Sequence, residues 1–429
     1  MSLKETTSIP SPQVRPFGSR SFSADPINVG RGDKVGVVLL SPGAPETEDE
    51  VFGYLHKHFM LPSGPQRGFR FWISNLKSRV KARLAIERVL TEYRAIGGGH
   101  SINRFNREQA ADLKRRLKAS VVIPDGVQIG TYLASPFGSP SMLDAAQQML
   151  KDGITHVVLL PLFPQFAMDT TGRALAYWEK MVSETKIAGL PTVAIWEFAI
   201  RESFIEAMNE RIEQAVQRFP RSARPEVAIL FTATGKGLNP IDDKGDPYCC
   251  LVHHSVEQLM ALQGKDRAHF LSFVPQRSWR NGVGPSQKDT IDAMVASGHR
   301  AVVVVPVDHV SEQFDSAYFL EVDLRKLAEA KGIHHYHVAS GLNCHPLFME
   351  GLTDLVIESI VPSSRVSETD ACLQTCPRPS SNASDGRGGR ACSLCPYAEK
   401  NVEDSVERPS RRHVHAATPG RRPAAQKKP

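Results

Sequence analysis

IDAMVASGHRAVVVVPVDHVSEQFDS, residues 291–316, passes from an amphipathic segment through a glycine into a run of valines, and through a proline into a loop. That loop holds Asp308, His309, Glu312, Gln313 and Asp315 within eight positions. Successive rather than alternating valines read as a strand covered on both faces, as in parallel sheets flanked by helices. The same order recurs at 143–172, LDAAQQMLKDGITHVVLLPLFPQFAMDTTG: amphipathic helix, Gly, basic or His residue, apolar strand, Pro, polar loop. The repeat predicts an α/β chain of two related halves with parallel sheets. Ligands of open parallel sheets lie beyond the carboxyl ends of the strands, so the two polar loops are expected to face one cleft.

Working outward, apolar blocks predict strands at 35–40, 127–133, 155–161, 192–198, 226–232, 268–274, 300–306 and 334–338. Amphipathic spacing predicts helices at 49–59, 78–95, 107–118, 141–152, 203–218, 251–263, 287–297, 318–331 and 346–360. No run approaches the roughly 20 apolar residues of a membrane span. The first 33 residues lack the apolar core of a secretory signal, and Glu5 argues against a transit peptide, so they are expected to be a disordered lead.

The 429 residues carry a net charge of +6. The stretch from 408 to 429 alone holds seven Lys or Arg and no acid, which leaves the rest near neutrality. Basicity is therefore a property of a Pro/Ala-rich tail that cannot bury a core, and a nucleic-acid partner is not expected. A cytoplasmic protein is expected, with peripheral membrane contact, organellar import and a homodimer left open. Of the seven cysteines, Cys372, Cys376, Cys392 and Cys395 cluster as Cys-x3-Cys and Cys-x2-Cys, a metal-type spacing. These four thiolates suit a tetrahedral zinc or a [2Fe-2S] cluster; Cys249, Cys250 and Cys344 read as ordinary residues.

YRAIGGGHSINRFNREQAADLKRRL, 93–117, places three glycines before a helix with Arg104 and Arg107 close by. A plain turn and an anion-binding turn both fit, but neither phosphate-loop glycine spacing is present. His253 and His254 are expected on a helix surface, and Asp308 likewise at the surface.

Six blocks in order resemble the ferrochelatase family: LLSPGAPETEDEVFGYL, YRAIGGGHSI, LPLFPQFAMDTTG, ILFTATGKGLN with KGDPY, VVVVPVDHVSEQFDSAYFLEVD, and SGLNCHPLFMEGLTDLV. The resemblance spans about 34–361. It implies two Rossmann-like, chelatase-type domains with an inter-domain cleft, of which the first takes 34–195 plus 340–361 and the second 196–339. A Cys-rich segment at 362–400 and a basic disordered tail at 401–429 follow. It also implies porphyrin and ferrous iron, Fe(II), as substrates. For the tail cysteines it implies a [2Fe-2S] cluster, with zinc as the alternative.

The family's cleft histidines fall on Thr234 and Gln313, its adjacent acids on Glu312 and Asp315, and its cleft Phe on His309. Metal insertion must remove two pyrrole protons, which calls for a neutral His or a carboxylate. A threonine hydroxyl does not ionise near neutrality, so His309 or Asp315 would take the role of acceptor, with Glu312 and Asp315 as an acidic route. The remaining expected substrate contacts are Arg173 and Lys236 for the carboxylates, with Trp279 and Gln313 in the cleft. Three readings stay open: insertion of ferrous iron into protoporphyrin or coproporphyrin, a non-catalytic porphyrin- or haem-binding paralogue, and a chelatase for another metal or tetrapyrrole.

Overall fold

The structure, a computed structural model, describes residues 22, 26–60, 69–98, 101–235, 248–264, 267–274 and 285–361. Lys236, Trp279 and the four tail cysteines lie outside the described residues.

In chain order the first half runs β1 (Lys34–Leu40), α1 (Glu48–Met60), α2 (Phe69–Ala95), α3 (Ser101–Ala119), β2 (Gln128–Ala134), α4 (Met142–Asp152), β3 (His156–Pro161), a π-helical segment (Met168–Gly172), α5 (Arg173–Val182), β4 (Thr192–Ala194) and α6 (Glu202–Gln217). The second runs β5 (Ala228–Thr234), α7 (Tyr248–Gln263), β6 (His269–Val274), α8 (Gln287–Ala296), β7 (Ala301–Pro306), a second π-helical segment (Asp315–Leu324), α9 (Arg325–Ala330), β8 (His335–Val338) and α10 (Pro346–Ile360). The sheets are ordered β2-β1-β3-β4 and β6-β5-β7-β8, so each half places its second strand first and its first strand beside its third. Every strand pair is parallel. The protein is thus α/β with two parallel, helix-flanked sheets. The repeat read from the sequence is a repeat in space, down to a π-helical turn after the third strand of each half.

The pleat explains why valine runs serve. All six residues of β7 are buried; Val302 and Val304 pack with Ile291 and Met294 of α8, while Val303 and Val305 join a core on the other face. That second core is shared: Val35, Val37 and Leu39 of β1 meet Phe204 and Ile212 of α6, Phe348 and Leu352 of α10, and Ile229 and Phe231 of β5 in one cluster. Apolar burial at roughly 25 cal/mol per Å² therefore binds the halves together as well as stabilising each.

Several boundaries differ from those expected. Helix α2 begins at Phe69 rather than 78 because Trp72, Leu76, Val80 and Leu84, spaced by four, are exposed and do not mark a core face. Helix α3 begins at Ser101 rather than 107 because part of its buried face is polar, with Asn103, Asn106 and Gln109. The strand expected over 192–198 ends at Ala194: β4 pairs only with 157–159, and the chain then turns so that the Phe198 N–H donates to the Pro164 carbonyl. Residues 168–182 and the first part of 318–331 hold π-helical turns, which a 3.6-residue period does not anticipate.

Helix α10 lies against α6 at Gly351, where an added Cβ would stand 2.1 Å from Ser203 Oγ and 2.9 Å from Ser203 Cβ. Replacing Gly by Ala inside an exposed helix normally stabilises it by about 1 kcal/mol. Here G351A is expected to destabilise by about 1 to 3 kcal/mol through overpacking, with S203G restoring most of the loss. Urea midpoints of the single and double variants check this; additive losses would place the cost elsewhere.

Candidate active site at the strand ends

The loops after β3 and β7 meet. Gln165 Nε2 donates to the Val307 carbonyl at 3.1 Å and to Ser255 Oγ of α7 at 3.3 Å, all buried. From α3, Ser101 Oγ donates to the Glu312 carbonyl at 3.0 Å, and Gln109 Nε2 donates to Ser311 Oγ at 2.9 Å and the Asn343 carbonyl at 2.8 Å. Asn343 is held at φ 51, a region that costs most residues energy and is tolerated best by Asn and Asp. In that conformation its Oδ1 accepts the Glu312 N–H at 3.1 Å, and its own N–H donates to the Val310 carbonyl at 2.8 Å. Gly341 lies beneath, where a Cβ would come within 2.7 Å of the Glu312 nitrogen. Residues 310–312 are thus gripped from both halves.

Asp308 stands where β7 ends. Its side chain is 8% exposed, and that of His309 is 16% exposed. Asp308 Oδ2 accepts the Thr234 N–H at 2.8 Å and the Tyr248 hydroxyl at 2.8 Å. Oδ1 faces His309 Nε2 at 3.6 Å, ion-pair rather than hydrogen-bond distance. The other ring nitrogen, Nδ1, is buried with no hydrogen-bond partner. Burial by itself would raise the Asp308 carboxyl; the His309 imidazole, the Thr234 hydroxyl and N–H, and the Tyr248 hydroxyl outweigh it and hold the group below the usual carboxylate range. Tyr248 moves the other way: burial first, then the negative charge of Asp308, drive its phenol well above 10. Asp169, from the π-helical segment after β3, adds its charge to the same phenol. The site is therefore an ionised carboxylate beside an imidazole, with donors drawn from two further elements.

The structure brings Thr234 and His309 together at this point. Asp308 is the correction: expected at the surface, it is buried, because the β5–β7 pairing sets Thr232 against Pro306 and so carries the Thr234 N–H alongside the residue two past that proline. No local signal near 308 reports a donor 74 positions away, nor one 60 positions away at Tyr248 in the same network. Glu312 is half-buried, and its carboxylate acts electrostatically on Arg211 of α6. The Gln313 N–H donates to Ser316 Oγ at 2.9 Å, a turn that starts the second π-helical segment, of which Asp315 is the first residue. Arg173 opens α5; burial, then the charge of Arg173, lower His58 of α1 below its usual value.

The first two glycines of the run form a turn. Gly97 and Gly98 take φ 92 and 72, and the Gly98 N–H donates to the Tyr93 carbonyl at 3.0 Å to end α2. Arg107 is engaged by Glu46 at 2.6 Å and Arg104 by Glu108 at 3.6 Å. Among the described residues no group of three or more His, Cys, Asp or Glu is arranged to hold a metal ion, and no helix is long and apolar enough to cross a membrane. Burial raises the Cys344 thiol to about 11, which leaves it unreactive near neutrality.

His253 corrects a second expectation. On α7 it is only partly exposed, its ring 6.4 Å from that of Phe273, and burial lowers its imidazole from 6.5 to about 4. Between those values the unfolded chain binds the proton and the folded chain does not. Stability therefore falls as pH drops through this window and is full above it, by on the order of 3 kcal/mol at most. We expect the urea midpoint to shift less between about pH 7.5 and about pH 4.5 in H253Q than in the natural chain; an equal shift would assign the acid sensitivity to other groups.

The family model described as ferrochelatase matches residues 34–360. A ferrochelatase of Gloeobacter violaceus is 29% identical over 340 residues, covering 77% of this chain and 99% of its own length. One of Synechococcus sp. strain JA-2-3B'a(2-13) is 30% identical, covering 75% and 92%. Ferrochelatase-1 of Arabidopsis thaliana, named chloroplastic/mitochondrial, is 29% identical, covering 82% and 75%. Among solved structures, SirB from Bacillus subtilis with Fe3+ aligns at a TM-score of 0.46 and 12% identity, covering 76% of this chain and 96% of that one.

Proposed function

The chain belongs to the ferrochelatase family, and from that premise we propose that it inserts ferrous iron into a protoporphyrin or coproporphyrin. Membership makes it a porphyrin metal chelatase of haem biosynthesis; the choice of iron and the residues that act are the proposal. The observation that carries it is the buried Asp308–His309 pair where the two strand-end loops meet. A divalent ion replaces two pyrrole protons, so the site must hold a base out of water beside the macrocycle, and a neutral imidazole has the basicity for it.

In this reading His309 is the proton acceptor. Thr234, at the position of a family histidine, holds Asp308 instead of taking a proton itself. Glu312 and Asp315 form the acidic route by which iron arrives or protons leave, and loose oxygen ligands suit an ion that must be released. Arg173 and Lys236 receive the porphyrin carboxylates, while Trp279 and Gln313 contact the macrocycle. Anaerobic mixing of the purified chain with Fe(II) and porphyrin is expected to give the Soret shift of the metallated product above the spontaneous rate. H309N is expected to lower kcat by about 10²- to 10⁴-fold. Tight porphyrin binding with no turnover would instead establish the non-catalytic reading, which Thr234 and Gln313 favour. Faster insertion of Co(II) or Ni(II) than of Fe(II) would establish a chelatase for another metal.

The tail cysteines Cys372, Cys376, Cys392 and Cys395 offer four thiolates, a donor set complete for a [2Fe-2S] cluster, which would be a resident group apart from the iron being inserted. No step of the reaction is routed through it. Freshly purified protein is expected to show visible charge-transfer bands that bleach on reduction. A colourless protein with one zinc per chain would replace the cluster by the zinc alternative.

A further inference from the structure

We propose that the outward face of α2 docks on an anionic membrane surface, through an apolar stripe of Trp72, Leu76, Val80 and Leu84 set between two rows of cations. The proposal is independent of which metal is inserted and of which groups move protons; it adds a partner of stated chemistry and the face that meets it.

Helix α2 carries two apolar faces. The inner one, with Ala82 fully buried and Ile86 and Val89 partly so, packs on Val51 and Leu55 of α1. The outer one is open: Trp72, Leu76, Val80 and Leu84 are 61, 50, 51 and 81% exposed. At 3.6 residues per turn Val80 lies about 160° around the helix from Ala82, and the stripe from 72 to 84 runs roughly 18 Å along the axis. A single apolar residue on a surface is ordinary. Four aligned ones, a tryptophan among them, form a contiguous patch of the kind that marks an interaction face.

The charges around the stripe select the occupant. Between Trp72 and Ile86 the helix has four cations, Lys77, Arg79, Lys81 and Arg83, all exposed, and no acid. Arg79 and Arg83 each precede a stripe residue and Lys77 and Lys81 each follow one, so the helical period sets the first two along one edge and the other two along the opposite edge. Among the described residues none of the four has an ion-pair partner, whereas Arg88 and Arg94, further along, pair with Glu92 and Glu48. A second copy of this chain would bring the same cations to the same face and repel them. An anionic lipid surface satisfies both features: acyl chains take the apolar side chains, and phosphates take the cations, whose stems lie along the stripe. The same helix then runs on to the site's surroundings, where Glu92 feels the charge of Asp323 in the second π-helical segment. Docking α2 therefore brings that segment near the lipid.

Sedimentation of the full chain with vesicles tests the proposal. Binding is expected to vesicles of equal parts phosphatidylcholine and phosphatidylglycerol, and little to phosphatidylcholine alone. L76S/L84S and K77S/K81S are each expected to weaken binding to the mixed vesicles by about tenfold or more, since one cation at an anionic surface contributes about fivefold and one inserted apolar side chain at least as much. All four positions are exposed, so thermal midpoints and metal insertion in vesicle-free solution should match the natural chain, which separates docking from unfolding. Lipids brominated on their acyl chains should quench the fluorescence of the natural chain more than that of W72F. Equal binding by L76S/L84S and the natural chain would leave attraction by charge alone, as the basic stretch from 408 to 429 supplies, and would overturn the proposal. Absence of binding to either vesicle would overturn it too, and a dimer that L76S/L84S dissociates would in that case give the face to a second copy.

Discussion

The parallel pairing of β5 with β7 is the constraint on which the site depends. It aligns Thr232 with Pro306, and because parallel strands advance together, the last N–H of one strand arrives beside the residue just past the end of the other. A carboxylate taken out of water is costly unless donors replace its hydration. At that location Asp308 finds a backbone N–H and a phenol on one oxygen and an imidazole opposite the other. Gly235 extends the same device: its N–H donates to the Val274 carbonyl at 2.8 Å, and an added Cβ would stand 2.6 Å from that oxygen. The sheet therefore does more than scaffold the loops, since its register decides which groups in them are charged.

Electrostatics and packing divide along the chain in a regular way. Surface pairs such as Arg94 with Glu48 and Lys288 with Asp292 are exposed at both partners and, screened by solvent, contribute little. The groups with large consequences are few and interior: Asp308, Tyr248 and His253. Two of these sit on α7, whose buried face also carries Leu251, Val252, Val256 and Leu259 and one polar residue, Ser255. One helix thus supplies core to the second half and a polar partner to its strand end.

Much of the fold was legible because burial on both faces leaves a mark in the central strands: the eight expected runs overlap the eight strands of the described residues, and the repeated order of elements corresponds to the repeated sheet order. The losses have physical causes. Helix α2 begins early because its first turns expose their apolar residues, and the π-helical turns follow no period that side-chain spacing advertises. At the site, His309, Glu312 and Gln313 could be noticed since they crowd one loop, whereas Asp308 could not be distinguished from a surface acid. Its burial is a fact about Thr234 and Tyr248, 74 and 60 positions away, and a single sequence carries no sign of such distant donors.

The loop after β7 is tied in two different ways. Among the described residues, Asp308 accepts hydrogen bonds from Thr234 and Tyr248, both on elements of the second sheet's half. Three residues further on, Ser101 and Gln109 reach across from α3 to hold 311 and 312. A small rotation of one half against the other would pivot at those crossing bonds and carry the imidazole and its carboxylate together as one rigid piece. The contact between the carboxylate and the imidazole is then insulated from such motion, while the distance of the pair to the opposite wall is not. Changes at Ser101 or Gln109 would be felt as misalignment, and changes at Thr234 or Tyr248 as a carboxylate less well held in its ionised form, so two chemically distinct faults can arise within one loop.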